Sequence, residues 1–99
     1  MRASTRREFV AGAAGRIECA VDSPESEPRG VALIAHPHPL FGGTLDNKVV
    51  QTLARALVEP GYQTWRPNFR GVGETEGAHD EGRGELEDLA SIVATLGNR

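Results

Sequence analysis

Two short segments of this chain hold residue types at spacings that could do chemistry. The first is His36-Pro37-His38-Pro39-Leu40-Phe41-Gly42-Gly43. Pro37 and Pro39 lack a backbone N–H, so the free donors just past the preceding apolar run belong to His38, Leu40 and Phe41. Two glycines then allow a tight approach to a helix start. A loop with few, fixed, outward donors suits an oxyanion hole, where N–H groups are aimed in advance at developing negative charge. The same residues also make a rigid turn shaped by its prolines, and the motif alone leaves both readings open. His36 and His38, at i and i+2, could also bind a metal, but no third ligand type stands nearby.

The second segment is Arg66-Pro67-Asn68-Phe69-Arg70-Gly71-Val72-Gly73-Glu74-Thr75-Glu76-Gly77. Gly71-x-Gly73 invites a dinucleotide reading, but the spacing is G-x-G-x-x-x-G rather than G-x-G-x-x-G. It also follows the second strand of its unit, and no acid after a further strand is placed to bind a ribose. No nucleotide and no other cofactor is expected. Arg66 and Arg70 flank the strand end, each either a clamp on a carboxylate or carbonyl or an anchor for substrate.

A complete catalytic set is missing from the 99 residues. There is no G-x-S-x-G. The serines are Ser4, Ser23, Ser26 and Ser91, and none sits on a strand-to-helix turn. His79 has Asp80 beside it but no candidate nucleophile. Cys19, the only cysteine, lies in an alternating strand pattern and reads as a half-buried thiol rather than a nucleophile.

The surrounding pattern says what must position these segments. Residues 7–22 read as a hairpin turning around Ala14-Gly15, with Ile17, Cys19 and Val21 alternating against Glu18 and Asp22. Residues 23–29 are a polar loop. The apolar run Val31–Ala35 has the mark of a strand covered on both faces. Thr44 or Asp46 can cap the helix that follows, with Val50, Leu53, Leu57, Val49 and Ala56 as its buried stripe. Pro60-Gly61 ends it, and residues 62–67 read as the next strand. A second helix spans about 83–96, with Leu86, Leu89, Val93 and Leu96 on one face.

Strand, helix, strand, loop, helix is a βαβα unit, which implies an α/β fold with a parallel sheet. The organisation is a single domain over residues 1–99: the hairpin at 7–22, then the βαβα unit at 30–99. Ligands in such sheets sit at the carboxyl ends of strands. Two loops emerge there, His36–Thr44 and Asn68–Gly77.

Composition narrows the partners. A net charge of −3 argues against a general nucleic-acid or anionic-membrane role. No stretch approaches the roughly 20 apolar residues of a membrane span. The acids Glu74, Glu76, Asp80, Glu81, Glu85, Glu87 and Asp88 read as a solvated face with favourable charge near a helix N-terminus. Thr5–Val10 looks like a twin-arginine motif, but the Gly/Ala-rich run after it stops at Arg16, so export is not expected. A lone cysteine permits no internal disulfide, which fits a cytoplasmic location.

Residues 31–89 strongly resemble the N-terminal half of small bacterial α/β-hydrolase-fold proteins of the dienelactone-hydrolase-like type. The resemblance rests on the family motifs HPHPxFGGTxxNKVV and RPNFRGVGxSxG and covers about residues 8–96. It implies that His36-Pro37 occupies the His-Gly place after strand 3. His38 would then give the first oxyanion N–H, with Leu40 or Phe41 lining the site. Arg70, Gly71 and Gly73 match the supporting RGxG turn after strand 4. Thr75 stands where Ser is common and keeps the hydroxyl. Family members are about twice as long, and their nucleophile elbow, acid and histidine come after the point where this sequence stops. The resemblance therefore implies ester or acyl-bond hydrolysis of a small molecule by the complete protein, with the 99 residues inactive alone. It also implies a strand order of 1-2-4-3-5, so that strand 3 becomes an open edge here. That edge predicts self-association or a complementing C-terminal half. The competing reading is a non-catalytic remnant or an interaction module that pairs through the same edge.

Overall fold

Period-two alternation in the first quarter of the chain builds a long hairpin. A computed structural model of the chain describes residues 4–36, 44–78 and 83–97. Strands β1 (Ser4–Gly12) and β2 (Gly15–Ser23) pair antiparallel from Ser4↔Ser23 to Gly12↔Gly15. The hairpin is longer than the expected 7–22, and its turn is Ala13-Ala14 rather than Ala14-Gly15. Gly15 opens β2 at φ 125, where a Cβ would lie 2.5 Å from Glu76 Oε1. A side chain is excluded there both by its backbone conformation and by its neighbour. The twin-arginine-like residues Thr5–Val10 are part of β1.

The βαβα unit follows as β3 (Gly30–Leu33), α1 (Lys48–Val58), β4 (Tyr62–Pro67) and α2 (Arg83–Gly97). The sheet order is β1-β2-β4-β3, with β2 and β4 antiparallel and β3 and β4 parallel. Strand β3 is therefore an edge among the described residues, as the resemblance implied. It is also shorter than the apolar run. Beyond Leu33 the Ile34 N–H continues the ladder, to the Trp65 carbonyl at 3.0 Å. The run does not mark a strand covered on both faces here: Val31 is 50% exposed.

Alternation sorts the strands into two faces. One face gathers Val10, Ile17, Cys19, Val21 and Trp65 with Ile92 of α2, and Leu33 and Leu96 pack against them. The other buries Ala20, Asp22, Thr64 and Arg66, and α1 covers it with Val50, Ala54 and Val58. Polar residues that alternation assigned to solvent thus lie beneath a helix.

Both helices are rotated from their expected stripes. In α1 the buried row is Val50, Ala54 and Val58, at i, i+4 and i+8, while Val49 and Leu53 face outward. Small Ala54 lets the helix sit close to the sheet. Its N-cap is Asn47, not Thr44 or Asp46: Oδ1 accepts the N–H groups of Val49 at 2.9 Å and Val50 at 3.2 Å. In α2 the buried residues are Gly84, Glu85, Asp88 and Ile92, while Leu86 and Val93 are exposed. Glu85 and Asp88 are therefore inside rather than on a solvated face. Asp88 can be there because Arg70 meets it, as described below. No helix among the described residues is long and apolar enough to cross a membrane.

Candidate active site

Strands β3 and β4 run parallel, so their carboxyl ends open on the same side of the sheet. His36 follows β3, and Asn68 to Gly77 follow β4. Direct hydrogen bonds join the two loops. His36 is 5% exposed, and its Nε2 accepts the Phe69 N–H at 2.9 Å. As an acceptor that nitrogen carries a lone pair, so the ring proton of the neutral form is on Nδ1. The His36 and Phe69 rings also touch, with centroids 4.5 Å apart. Nε2 is thus engaged in holding the loop, a different role from the metal ligand weighed on sequence grounds. Among the described residues no group of three or more His, Cys, Asp or Glu side chains could hold a metal.

Asn68 makes the second tie. Its Oδ1 accepts the Leu45 N–H at 2.7 Å, and its Nδ2 donates to Glu18 Oε1 at 2.8 Å. Glu18 Oε1 also accepts the Glu74 N–H at 2.9 Å, and the Glu18 carbonyl accepts the Asn68 N–H at 2.8 Å. Consecutive residues of the β4 loop therefore hold both flanks of segment 37–43: Phe69 grips His36 before it, and Asn68 grips Leu45 after it. His38, Leu40 and Phe41, the expected oxyanion residues, lie outside the described residues.

The two arginines are clamps. Arg66 reaches Asp22 through Nε to Oδ2 at 2.7 Å and Nη2 to Oδ1 at 3.1 Å, and its Nη1 donates to the Leu45 carbonyl at 2.6 Å. Leu45 is thus fixed at both its N–H and its C=O. Asp22 also accepts from the hydroxyls of Thr5 at 2.6 Å and Thr64 at 3.1 Å. Burial alone pushes the Asp22 carboxyl up, but the hydrogen bonds and charge of Arg66, with the two hydroxyls, outweigh it and hold it below the usual carboxylate range. Arg70 makes the matching clamp below the sheet, with Nε to Asp88 Oδ2 at 3.1 Å and Nη2 to Oδ1 at 3.3 Å.

The turn that carries Gly71 and Gly73 is braced from β2. The Thr75 hydroxyl accepts the Glu18 N–H at 2.9 Å and donates to the Asn68 carbonyl at 2.9 Å. Glu76 Oε1 accepts the Arg16 N–H at 2.7 Å, beside the hairpin turn. Gly71 and Gly73 take φ of 79 and 54, and a Cβ on Gly73 would lie 2.5 Å from both Asn68 Nδ2 and Glu18 Oε1. Gly73 is required because the Asn68–Glu18 hydrogen bond passes directly over its Cα.

Cys19 takes no part in this machinery. It is fully buried in the apolar core, and burial, followed by the charges of Glu8 and Glu18, pushes its thiol up to about 12. A thiol so held is not a nucleophile at neutral pH.

Sequence reasoning missed Glu18, Asp22 and Asn68. The available signal was the pairing of two acids at i and i+4 on β2 with a small Ala20 between them. A polar pair beside a small residue suits a strand face covered by a helix, and the neighbouring β4 brings the arginine (Arg66) and the amide (Asn68) they need.

Comparison with known proteins agrees with this architecture. No family model matches the chain. An uncharacterised protein of Rickettsia prowazekii (strain Madrid E) is 46% identical over 88 residues, covering 89% of this chain and 37% of that protein. A solved α/β serine hydrolase homologue from Coxiella burnetii superposes with a TM-score of 0.88 at 42% identity, covering 94% of this chain and 45% of that one. A lidless member of the α/β serine hydrolases from Xanthomonas campestris superposes at 0.89 with 36% identity, covering 96% and 45%. The chain spans less than half the length of these proteins. With the β1-β2-β4-β3 sheet and the two tied strand-end loops, these likenesses make its fold that of the N-terminal half of an α/β-hydrolase-fold protein.

Proposed function

We propose that the chain supplies the oxyanion-hole half of a serine-type hydrolase acting on esters or related acyl bonds of small molecules. The carrying observation is that His36 and Leu45, the flanks of segment 37–43, are both hydrogen-bonded to the β4 loop. A loop whose N–H groups stabilise an oxyanion gains from being fixed before the charge develops, since no reorganisation is then needed during reaction. In this reading His38 gives the first oxyanion N–H, and Leu40 or Phe41 lines the acyl site. Arg70, Gly71 and Gly73 support them from β4. Because the 99 residues hold no G-x-S-x-G, the nucleophile with its histidine and acid comes from another segment, and residues 1–99 alone turn over nothing. The dienelactone-hydrolase-like resemblance favours a small acyl substrate, in a cytoplasmic setting.

A graft tests this. Residues 1–99 replace the matching part of the Xanthomonas campestris hydrolase, and the product is assayed with p-nitrophenyl esters and a serine-directed probe. Turnover by the graft, with none by residues 1–99 alone, supports the reading. A graft that folds and takes the probe but hydrolyses no ester removes it, as does robust serine-dependent turnover by residues 1–99.

The open β3 edge favours a second reading. Val31 is half-exposed on a strand that no described residue covers on its outer side. An unpaired apolar edge pairs readily with another strand. Here the chain is an interaction module, or one half of a two-chain enzyme, completed by a complementing half or by self-association. Light scattering on purified residues 1–99 distinguishes them: a concentration-independent monomer with sharp thermal unfolding contradicts the second reading.

A further inference from the structure

We infer that Glu18 and Asn68 form a positioning pair that sets the C-terminal flank of segment 37–43, and that their joint hydrogen-bond polarity is the feature that matters. The inference rests on the reading of that segment as the oxyanion loop. Glu18 lies on β2, Asn68 at the end of β4, and Leu45 just before α1. One amide side chain joins the three, with Nδ2 given to Glu18 Oε1 at 2.8 Å and Oδ1 open to the Leu45 N–H at 2.7 Å. The carboxylate can only accept, so it dictates which end of the amide faces it. The amide oxygen is then left toward Leu45, whose carbonyl is also held, by Arg66 Nη1 at 2.6 Å. A reversed amide would set its NH2 against the Leu45 N–H, donor against donor.

Asn68 is 4% exposed, and the Glu18 side chain is 13% exposed. At Asn68 a mismatched donor or acceptor is left largely without water and costs the desolvation of that group. The pair is thus an orientation device: β2 sets the amide, the amide sets Leu45, and Phe69 at the next position sets His36.

Amide hydrogen exchange on the 99-residue chain tests the inference through two variants and their combination. Asn68→Ala removes the acceptor, and the Leu45 N–H should exchange at least about tenfold faster relative to the Ile34 N–H, which bonds to the Trp65 carbonyl, as a local opening. Asn68→Asp keeps an acceptor for Leu45 but faces Glu18 with a second carboxylate, so protection should also fall. Adding Glu18→Gln returns a donor to the pair with its polarity reversed, and protection at Leu45 should recover in part, because the Glu74 N–H loses the Oε1 acceptor it shares with Asn68. An unchanged Leu45 rate in Asn68→Ala overturns the inference. So does a Glu18→Gln/Asn68→Asp variant that exchanges as fast as Asn68→Asp, because a merely space-filling role would not be rescued by the swap. In the graft, Asn68→Asp should lower kcat with little change in KM, and the swapped pair should restore part of it. A graft with unaltered residues 1–99 that turns over nothing sinks the hydrolase reading, while the exchange rates still decide for or against the pair.

Discussion

Asp22 holds Arg66 in a two-pronged ion pair beneath α1, Nε to Oδ2 at 2.7 Å and Nη2 to Oδ1 at 3.1 Å. Both side chains are nearly out of solvent, 12% and 7% exposed. Removing one partner from such a pair strands the other charge. Asp22→Asn should therefore cost about 3–5 kcal/mol of stability. It should also loosen Leu45, whose carbonyl depends on Arg66. Urea denaturation checks this; a loss within about 0.5 kcal/mol, as for an ordinary surface substitution, would show that the pair does not hold the fold.

The same pair fixes an acid dependence. The Asp22 carboxyl is held below its ordinary value of 3.8 in the folded chain. As pH falls, the unfolded chain binds this proton first, so Asp22 contributes stability that is complete above that value. The contribution is lost as pH drops through the lower folded value. Thermal melts stepped downward from pH 6 should show this decline in the native sequence and a shallower one in Asp22→Asn. Identical acid slopes would contradict the assignment.

Thr75 separates hydroxyl from methyl. Thr75→Ser keeps the bonds to the Glu18 N–H and the Asn68 carbonyl and should cost under about 1 kcal/mol, the order of one buried methyl. Thr75→Val keeps the shape but leaves both partners unsatisfied, at about 1–3 kcal/mol for each orphaned group. Denaturant midpoints of the two variants should differ clearly, with Ser the milder. Equal midpoints would mean that water replaces the hydroxyl.

Gly73 has no room for a side chain, because an added Cβ would lie 2.5 Å from both Asn68 Nδ2 and Glu18 Oε1 at a φ of 54. Gly73→Ala should cost more than the roughly 1–2 kcal/mol of the left-handed backbone alone and should speed exchange at Leu45. Gly97, with nothing within 4 Å of its Cβ position, is the control: Gly97→Ala should be near neutral or slightly stabilising. Similar effects at the two sites would show that the β4 turn yields easily.

Much of this arrangement is legible in the sequence because it rests on local pattern. Tyr62–Pro67 is read as a strand, and a strand it is. Pro60-Gly61 stops α1, and the order of the βαβα unit follows from the apolar runs. What is hidden depends on partners far away in the chain. Alternation marks Glu18 and Asp22 as polar and so as outward. Only the docking of α1, Arg66 and Asn68 onto that face makes them inward. The apolar residues of α2 point to a stripe along Leu86 and Val93, yet Arg70, 18 positions before Asp88, turns an acidic row inward instead. Thr44, Asp46 and Asn47 are all short polar residues able to cap a helix, and only the folded chain shows that Asn47 Oδ1 reaches the Val49 and Val50 N–H groups. Arg66 and Arg70 could be read as clamps because each has a planar fork that suits a carboxylate.

The most direct measurement is ester turnover by the graft of residues 1–99 onto the rest of the Xanthomonas campestris hydrolase. The hydrolase reading predicts kcat/KM well above background, abolished by a serine-directed reagent and lowered chiefly through kcat by Asn68→Asp. A folded graft that takes up the reagent yet shows no turnover would contradict the claim that this chain supplies a working oxyanion loop.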